Sequence, residues 1–255
     1  MQLGSRDVGR VARSLLQRQH YVAALNMLAL YEKPVEMFRR YLTAWGTYPT
    51  QARVRTPVGP ITLGLHTRDD ILTVNEIFCR QDYRADAGDK VFVDFGSNIG
   101  ISAAYFLTRS PDVYGYLFEP LPMNIGRLKI NLAPFKGRFT LAETAVGLVD
   151  GIVEFGWEAT GRYGGVGRDF GNKLAVPCRD SNDVLEGILK RHGRIDILKI
   201  DIETMERELT ERIPADMARR IGKIYVEFPI SRNPFPDLFK LRQYGSIAQF
   251  VRVPT

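Results

Sequence analysis

The sequence predicts an α/β fold with a mostly parallel sheet, and two observations carry this prediction. From Val91 onward, short apolar segments typical of buried strands alternate with segments of helical periodicity. Such alternation is typical of parallel strands joined by helices. In addition, a turn with glycines at 96 and 100 joins the first of these strands to the first helix. Ligands of open α/β sheets bind at such strand ends.

The composition is that of an ordinary globular chain. The 255 residues are 45% hydrophobic and 25% charged, which argues against disorder. The two cysteines, Cys79 and Cys178, form no C-x-x-C motif, so no zinc or redox site is predicted. Cysteine usage suits a reducing compartment, and no signal peptide or membrane-spanning segment is evident. We therefore predict a cytoplasmic protein.

The excess positive charge is concentrated near the N-terminus. The net charge is +6, and residues 1–50 hold seven basic against three acidic side chains, a difference of +4. A basic surface can attract nucleic acid. However, the positive residues are spaced out, and no aromatic-rich nucleic-acid motif accompanies them. We therefore predict a solvated helix face and no nucleic-acid partner.

Residues 1–46 are predicted to form a helical region. One helical face is indicated by apolar residues at i, i+3, i+4 and i+7, namely Val8, Val11, Ala12 and Leu15. A second helix is predicted to begin at Pro34 and to stop at Gly46. Its apolar stripe would consist of Val35, Phe38, Leu42 and Trp45. These helices are expected to serve an acceptor or a partner, which includes a second copy of the chain.

Residues 47–89 are predicted to form a β-hairpin and a lead-in helix, and residues 90–255 the α/β domain. The hairpin pairs residues 52–56 with 61–65, and the helix covers 71–86. In the α/β domain, strands are predicted at 91–95, 113–118, 139–141, 195–200, 224–228 and 247–253, with β-like segments at 152–155 and 174–176. Helices are predicted at 99–108, 122–132, 181–192, 204–213 and 235–244.

The glycine turn predicts a cofactor site. A dinucleotide site has the pattern G-x-G-x-x-G, with the pyrophosphate at the helix N-terminus. Here Asn98 stands where the second glycine would be, and Asp94 ends the strand. A carboxylate would repel a pyrophosphate and attract the cationic S-adenosylmethionine (SAM), so charge favours SAM over NAD. The alternative is an ordinary turn with an N-capping Ser97 or Asn98.

Glu119 strengthens the cofactor prediction. It ends the second strand, 119 − 94 = 25 positions beyond Asp94. An acidic residue in this place accepts hydrogen bonds from a ribose diol in both nucleotide classes, so it does not choose between them. The next residues, Pro120 and Leu121, are expected to pack on the adenine face.

The chain resembles the FkbM-type methyltransferases, a branch of the class I SAM-dependent fold. The resemblance is carried by VFVDFGSNIG at 91–100, FEPLPMN at 118–124, AVG at 145–147 and ILKIDIE at 197–203. It implies a seven-stranded sheet with one antiparallel edge strand. It also implies SAM contacts at Asp94, Gly96, Ser97, Asn98 and Gly100, ribose contacts at Glu119, and adenine contacts near Ala145 and Val146. One departure is Thr204, where the family has glycine, and we expect it to N-cap the following helix.

The transfer step is predicted to use Asp201 and Glu203. Both follow the strand at 195–200, where they could orient or deprotonate an acceptor hydroxyl. Alternatively, Asp201 holds the SAM amino group and Glu203 has a structural role, in which case the base would be Glu227 or would lie on the loop 162–167. That glycine-dense loop is either a mobile lid or a plain connection. No histidine or cysteine cluster joins the carboxylates, so no metal site is predicted.

These features together predict a SAM-dependent methyltransferase. The expected acceptor is a small molecule, and the resemblance implies a hydroxyl on a sugar or a polyketide-like compound. Two alternatives stay open. One is an NAD-dependent oxidoreductase or epimerase, against which Asn98 and Asp94 count. The other is a non-catalytic adapter with a vestigial nucleotide fold, which Thr204 leaves open.

Overall fold

The computed structural model describes residues 2–3, 6–7, 18–43 and 45–253. The chain divides into two compact units, Met1–Arg84 and Ala85–Thr255. The helical face predicted from Val8 to Leu15 lies outside the described residues. Both cysteines are free and buried. None of the helices among the described residues is long and apolar enough to cross a membrane.

The described residues of the first unit form two small antiparallel ladders and three α-helices. Its elements are β1 (Gln2–Leu3), β2 (Arg6–Asp7), α1 (Arg18–Leu30), α2 (Pro34–Thr43), β3 (Thr50–Val54), β4 (Ile61–Leu65) and α3 (Arg68–Val74), followed by a π-helix (Asn75–Cys79). The predicted hairpin is confirmed as β3 and β4. The helical prediction for residues 1–46 is wrong at β1 and β2, which pair with each other. The lead-in helix ends at Cys79, earlier than predicted.

Helix α2 begins at Pro34 as predicted, but its predicted apolar stripe faces outward. Val35 is 79% exposed and Leu42 50% exposed, while Met37 and Arg40 are buried. Arg40 tolerates burial because its guanidinium is paired: Nε donates to Glu36 Oε1 at 3.1 Å and Nη1 to the Thr47 carbonyl at 3.1 Å. Its aliphatic stem then packs like an apolar side chain. Because the charged Arg40 lies on the buried face of α2, the pattern of apolar residues did not indicate which face is buried.

The second unit is built on a seven-stranded sheet. Its strands are β5 (Val91–Phe95), β6 (Tyr114–Phe118), β7 (Phe139–Ala142), β12 (Ile195–Ile200), β13 (Ile221–Val226), β14 (Phe239–Tyr244) and β15 (Ile247–Arg252). The order is β7-β6-β5-β12-β13-β15-β14. The first five strands are parallel, and β15 is antiparallel to both neighbours. The predicted α/β fold with a mostly parallel sheet is confirmed, with the antiparallel strand one place in from the edge.

The helix predicted at 235–244 is wrong, because β14 occupies most of that segment. Phe239 is buried beside Phe250 of β15, with ring centroids 6.3 Å apart. The six residues of β14 pair with β15 along their whole length. Pairing with a later strand thus overrides the local helical pattern, as is usual for strand formation.

Five helices flank the strands of this unit. They are α4 (Ile101–Leu107), α5 (Pro122–Asn131), α6 (Ser181–His192), α7 (Glu206–Glu211) and α8 (Ala215–Ala218). All seven residues of α4 are buried, so this helix lies inside the unit. Asp180 N-caps α6 by accepting hydrogen bonds from the backbone N–H groups of Asn182 at 2.8 Å and Asp183 at 3.3 Å.

A second, four-stranded sheet follows β7 in the chain. It contains β8 (Ala145–Gly147), β9 (Gly151–Trp157), β10 (Gly164–Val166) and β11 (Asn172–Asp180), in the order β10-β9-β11-β8. The sequence showed only two β-like segments here, because β8 and β10 have three residues each. Phe155, Val176 and Cys178 pack with Ala145 and with Leu121, which follows β6. This packing places the β9–β10 hairpin next to the carboxyl ends of the main sheet.

Candidate active site

An open cavity lies where β5, β6 and β12 end. Its empty volume is about 630 Å³, which includes the solvent space at its mouth. Its wall includes nine of the twelve predicted site residues: Gly96, Asn98, Glu119, Pro120, Leu121, Ala145, Val146, Asp201 and Glu203. The sequence did not indicate a further group of lining residues, which includes Asn124, Thr144, Phe155 and Gly161, whereas Arg162 belongs to the loop predicted as a lid or a plain connection. Asn124 lies in the segment FEPLPMN, so its position beside Glu119 was the available signal.

The glycine turn has a backbone conformation and a close contact with β12 that require glycine even without a ligand. Gly96 and Gly100 have φ of +81° and +85°, and Asn98 has φ of +48°. A Cβ atom on Gly96 would lie 1.7 Å from the Asp201 carbonyl oxygen. The close approach of the β5 and β12 ends therefore requires glycine at position 96, in addition to its positive φ.

The five backbone N–H groups of residues 96–100 all donate to protein acceptors. Those of Gly96 and Ser97 donate to the Phe118 carbonyl, at 3.1 and 3.0 Å, and that of Gly100 to the Ser97 carbonyl at 2.8 Å. The Asn98 N–H donates to Glu119 Oε2 at 2.9 Å, and the Ile99 N–H to Asn98 Oδ1 at 2.7 Å. An anion-binding turn presents such groups to its ligand. This turn has none of the five left to present.

Glu119 is held in place by the loops that surround it. Its Oε2 accepts from the Asn98 N–H, and its Oε1 accepts from the Leu121 N–H at 3.0 Å and from Asn124 Nδ2 at 3.4 Å. The residue is 4% exposed. Loss of hydration on burial raises the pKa of Glu119 to about 7, although these hydrogen bonds act in the opposite direction.

Three predicted contact residues, Asp94, Ser97 and Gly100, lie behind the cavity wall. Asp94 is fully buried, and its carboxylate accepts from Ser102 Oγ at 2.6 Å and from Lys199 Nζ at 3.0 Å. Ser97 Oγ donates to the Asp94 carbonyl at 3.0 Å. Gly100 faces the side chains of Leu128 and Leu132. The Asp94 carboxylate meets Lys199 instead of the cavity because the two residues are partners in the pairing of β5 with β12.

Lys199 forms two salt bridges. Its Nζ lies 3.0 Å from Asp94 Oδ1, 3.0 Å from Asp201 Oδ2 and 3.0 Å from the Gly96 carbonyl oxygen. Burial alone would lower the pKa of Lys199, but the attraction of Asp201 and Asp94 outweighs burial and raises the pKa. The lysine is therefore a buried cation that bridges β5 to the residue after β12.

Glu203 and Thr204 form the rim after β12. Glu203 is an exposed residue with φ of +67°, a conformation that non-glycine residues rarely adopt. Partial loss of hydration, together with repulsion from Asp201 and Glu206, raises the pKa of Glu203 to about 7. The prediction that Thr204 caps the next helix is wrong, because Met205 is the N-cap residue and Thr204 Oγ1 is buried without a hydrogen bond.

The glycine-dense loop at 162–167, predicted as a lid or a plain connection, is held by a strand and by hydrogen bonds to the residues before it. Part of it is strand β10, and the residues before β10 accept hydrogen bonds from three side chains. Asn124 Nδ2 donates to the Gly161 carbonyl at 2.8 Å, Asn98 Nδ2 to the Arg162 carbonyl at 3.2 Å, and Arg127 Nη1 to the Thr160 carbonyl at 2.7 Å. The same asparagines also bind Glu119, so the loop and the predicted ribose site share two residues.

Comparison with known proteins gives distant relatives. No family model matches the chain. An rRNA methylase from Streptococcus thermophilus is 9% identical, with a TM-score of 0.38 over 74% of this chain and 99% of that one. A methyltransferase from Geobacter sulfurreducens is 13% identical, with a TM-score of 0.41 over 71% of this chain and 78% of that one.

The curated relative is a far larger protein. The AMB antimetabolite synthetase AmbE from Pseudomonas aeruginosa is 26% identical over 196 residues, which are 74% of this chain. The chain spans 9% of the length of that synthetase.

Proposed function

We propose that the protein is a class I SAM-dependent methyltransferase of the FkbM type. The observation that carries this proposal is the glycine turn, whose backbone N–H groups are all engaged within the protein. Such a turn has no donors for a pyrophosphate, which counts against NAD. The cavity instead presents the carboxylates of Glu119, Asp201 and Glu203, which suit a phosphate-free, cationic nucleoside.

The lining residues fit the parts of SAM. Glu119 is buried at the end of β6, where its carboxylate can accept from a ribose diol. Leu121, Ala145, Val146 and Phe155 offer apolar surface for an adenine ring. The segments that carry the FkbM resemblance each contribute residues to this wall.

SAM, when bound, supplies a methyl group on a sulfonium that is already a good leaving group. The protein then has two tasks, to orient the acceptor and to remove its proton. We assign proton removal to Glu203, because a carboxyl with a pKa of about 7 is half ionised at neutral pH and lies at the cavity rim. Asp201 is paired with Lys199 at 3.0 Å, which favours a binding role for its carboxylate.

The proposed acceptor is a small molecule that carries a hydroxyl group. A general base is useful for a hydroxyl nucleophile, and Glu203 supplies one. A sugar or a polyketide-like compound is the acceptor class that the FkbM resemblance implies. The expected N-terminal contribution to acceptor or partner binding remains a prediction.

Calorimetric titration with SAM, S-adenosylhomocysteine and NAD tests the proposal. We expect the two adenosyl ligands to bind and NAD not to bind. Binding of NAD alone would favour the oxidoreductase alternative, and binding of none of the three would favour the adapter. With a hydroxyl acceptor in hand, Glu203→Gln should lower kcat and leave the affinity for SAM nearly unchanged.

A further inference from the structure

Lys199 is a buried cation at the junction of the two strands that form the cavity floor. It is 2% exposed, and Asp94, one of its two carboxylate partners, is fully buried. Asp201, the other partner, is partly exposed and lines the cavity. Lys199 therefore connects a group inside the core to a group that a ligand can reach.

The geometry around Lys199 fixes the position of Asp201 on several sides. The Asp201 N–H donates to the Phe95 carbonyl at 3.0 Å, and its own carbonyl oxygen packs against Gly96. The side chain is then held by Lys199 Nζ at 3.0 Å. The ammonium in turn is anchored by Asp94 Oδ1 and the Gly96 carbonyl. An ammonium has three donors, and these three partners use all of them.

The charges of this cluster leave one net negative charge. Asp94 and Asp201 contribute two negative charges and Lys199 one positive charge, and Asp201 is the member at the cavity surface. A single negative charge suits the cationic end of SAM. The positive charge of Lys199 makes the site less negative, so Lys199 does not itself attract a cationic cofactor.

We infer that Lys199 is a positioning residue that holds the Asp201 carboxylate in place for the cationic methionine end of the cofactor. This inference rests on the proposed function. Asp94 is the anchor that allows a lysine to be buried at this point, because an unpaired buried charge is strongly unfavourable. Its role is to balance the charge of Lys199, and the Gly96 carbonyl and Asp201 still hold the ammonium when Asp94 is replaced by asparagine.

A second lysine provides a matched control. Lys223 lies on β13, next to β12, and also pairs with two aspartates, Asp86 Oδ2 at 2.6 Å and Asp89 Oδ2 at 2.8 Å. None of these three residues lines the cavity. Lys223→Met therefore removes a comparable lysine–diaspartate cluster without touching the site.

The test is a double-mutant cycle in which SAM affinity is measured by calorimetry. Asp94→Asn is the background, because asparagine keeps an acceptor for Ser102 and leaves no unpaired carboxylate when Lys199 is replaced. Lys199→Met and Asp201→Ala are then introduced singly and together. In D94N/D201A both carboxylate partners of Lys199 are gone, so burial favours the neutral form of the lysine there. The D94N/K199M variant has the same net cluster charge as the wild type, so a loss of affinity cannot come from charge alone. Thermal unfolding without ligand confirms that each variant is folded.

We expect D94N to bind SAM within threefold of the wild type, and K199M to weaken binding at least tenfold when Asp201 is present. With alanine at position 201, K199M should have no further effect, and K223M should leave affinity within twofold of the wild type. Equal losses from K199M in both backgrounds, or tighter binding by D94N/K199M than by D94N, would overturn the inference. Loss of binding in D94N itself would also overturn it, because Asp94 would then act directly on the ligand. If the wild-type chain takes up no SAM, the proposed function fails, whereas an additive cycle in a chain that binds SAM rejects only the role of Lys199.

Discussion

At the scale of single residues, Glu119 makes a pH dependence measurable. The pKa of about 7 means that its carboxylate ionises near neutrality, and the ionised form makes the stronger hydrogen bond with a ribose hydroxyl. We expect affinity for SAM to fall as the pH decreases below 7. Glu119→Gln should weaken SAM and S-adenosylhomocysteine alike, by more than tenfold at pH 8, since a hydrogen bond to a charged group contributes about 1.5–3 kcal/mol. Calorimetry at several pH values measures both effects. A variant that loses SAM but keeps S-adenosylhomocysteine would place Glu119 away from the diol.

Without ligand, the same residue should affect stability in the opposite direction. Because its pKa is raised from 4.5, the folded chain binds this proton more tightly than the unfolded chain does. The contribution of Glu119 to folding is therefore fully present below pH 4.5 and is lost as the pH rises through 7. The pKa of Glu203 is raised in the same way, so its contribution to stability has the same sign. Urea unfolding of the ligand-free E119Q variant should show a smaller loss of stability between pH 5 and pH 8 than the wild type. Equal slopes for the two proteins would exclude this contribution.

Whether a site residue could be predicted from the sequence depended on how far along the chain its contact partners lie. The acid at the end of β6 and the glycines of the turn were predictable, because their environment is set by neighbouring residues. The partners of Asp94 were not, because Lys199 is 105 positions away and meets it only through the pairing of β5 with β12. For the same reason, Asn124 and Phe155 were not assigned to the cavity. Their positions depend on how the second sheet packs.

At the scale of elements, Gly96 limits how closely β5 and β12 can approach. Gly96→Ala should destabilise the fold by more than about 3 kcal/mol, because strain of about 1–3 kcal/mol at positive φ adds to a clash with the Asp201 carbonyl. Gly126→Ala in α5 is the control. A Cβ there meets nothing within 4 Å, so it should stabilise by about 0.4–1 kcal/mol. Chemical denaturation compares the two variants. A Gly96→Ala variant as stable as the wild type would contradict the close approach.

Strand β10 makes a similar contact with the rim of the cavity. A Cβ on Gly165 would lie 2.4 Å from Cγ2 of Thr204. Gly165→Ala should therefore destabilise by about 1–3 kcal/mol, the typical effect of overpacking. Thr204→Ser removes that methyl group, so the double variant should regain at least half of the lost stability. The free energies of unfolding of the four proteins test this coupling. An equal loss from Gly165→Ala with threonine and with serine at position 204 would show that the contact is not the cause.

Elements with strong local signals were predicted closely, and those defined by distant pairing were not. Helix α6 and strand β12 have the predicted bounds, Ser181–His192 and Ile195–Ile200. Helix α6 has an aspartate N-cap and a glycine after its last residue, and β12 is an apolar segment interrupted by Asp196 and Lys199. In contrast, β8 pairs with β11 across more than 30 positions. A pattern confined to a short window cannot contain that information.

At the scale of the whole molecule, the basic N-terminal segment and the candidate site belong to different units. The excess charge of +4 lies in residues 1–50, while the cavity is lined by residues between Gly96 and Thr204. The second unit, Ala85–Thr255, contains the complete seven-stranded sheet and the second sheet. The main apolar core of this sheet is likewise formed within it. The residues proposed to hold SAM therefore all lie in the second unit.

This separation predicts the behaviour of a shortened chain. A protein consisting of residues 85–255 should fold, because its sheet and core are complete, and should bind SAM within threefold of the full chain. Circular dichroism and thermal unfolding report the fold, and calorimetry reports the affinity. Methyl transfer to an acceptor should nevertheless fall if residues 1–46 serve the acceptor, as the sequence suggests. A matched full-length control in which the exposed Lys33 and Arg39 are both replaced by glutamine separates the loss of charge from the loss of the unit. A folded 85–255 chain without affinity for SAM would show that the first unit completes the cofactor site, and unchanged transfer by that chain would show that its helices have another purpose.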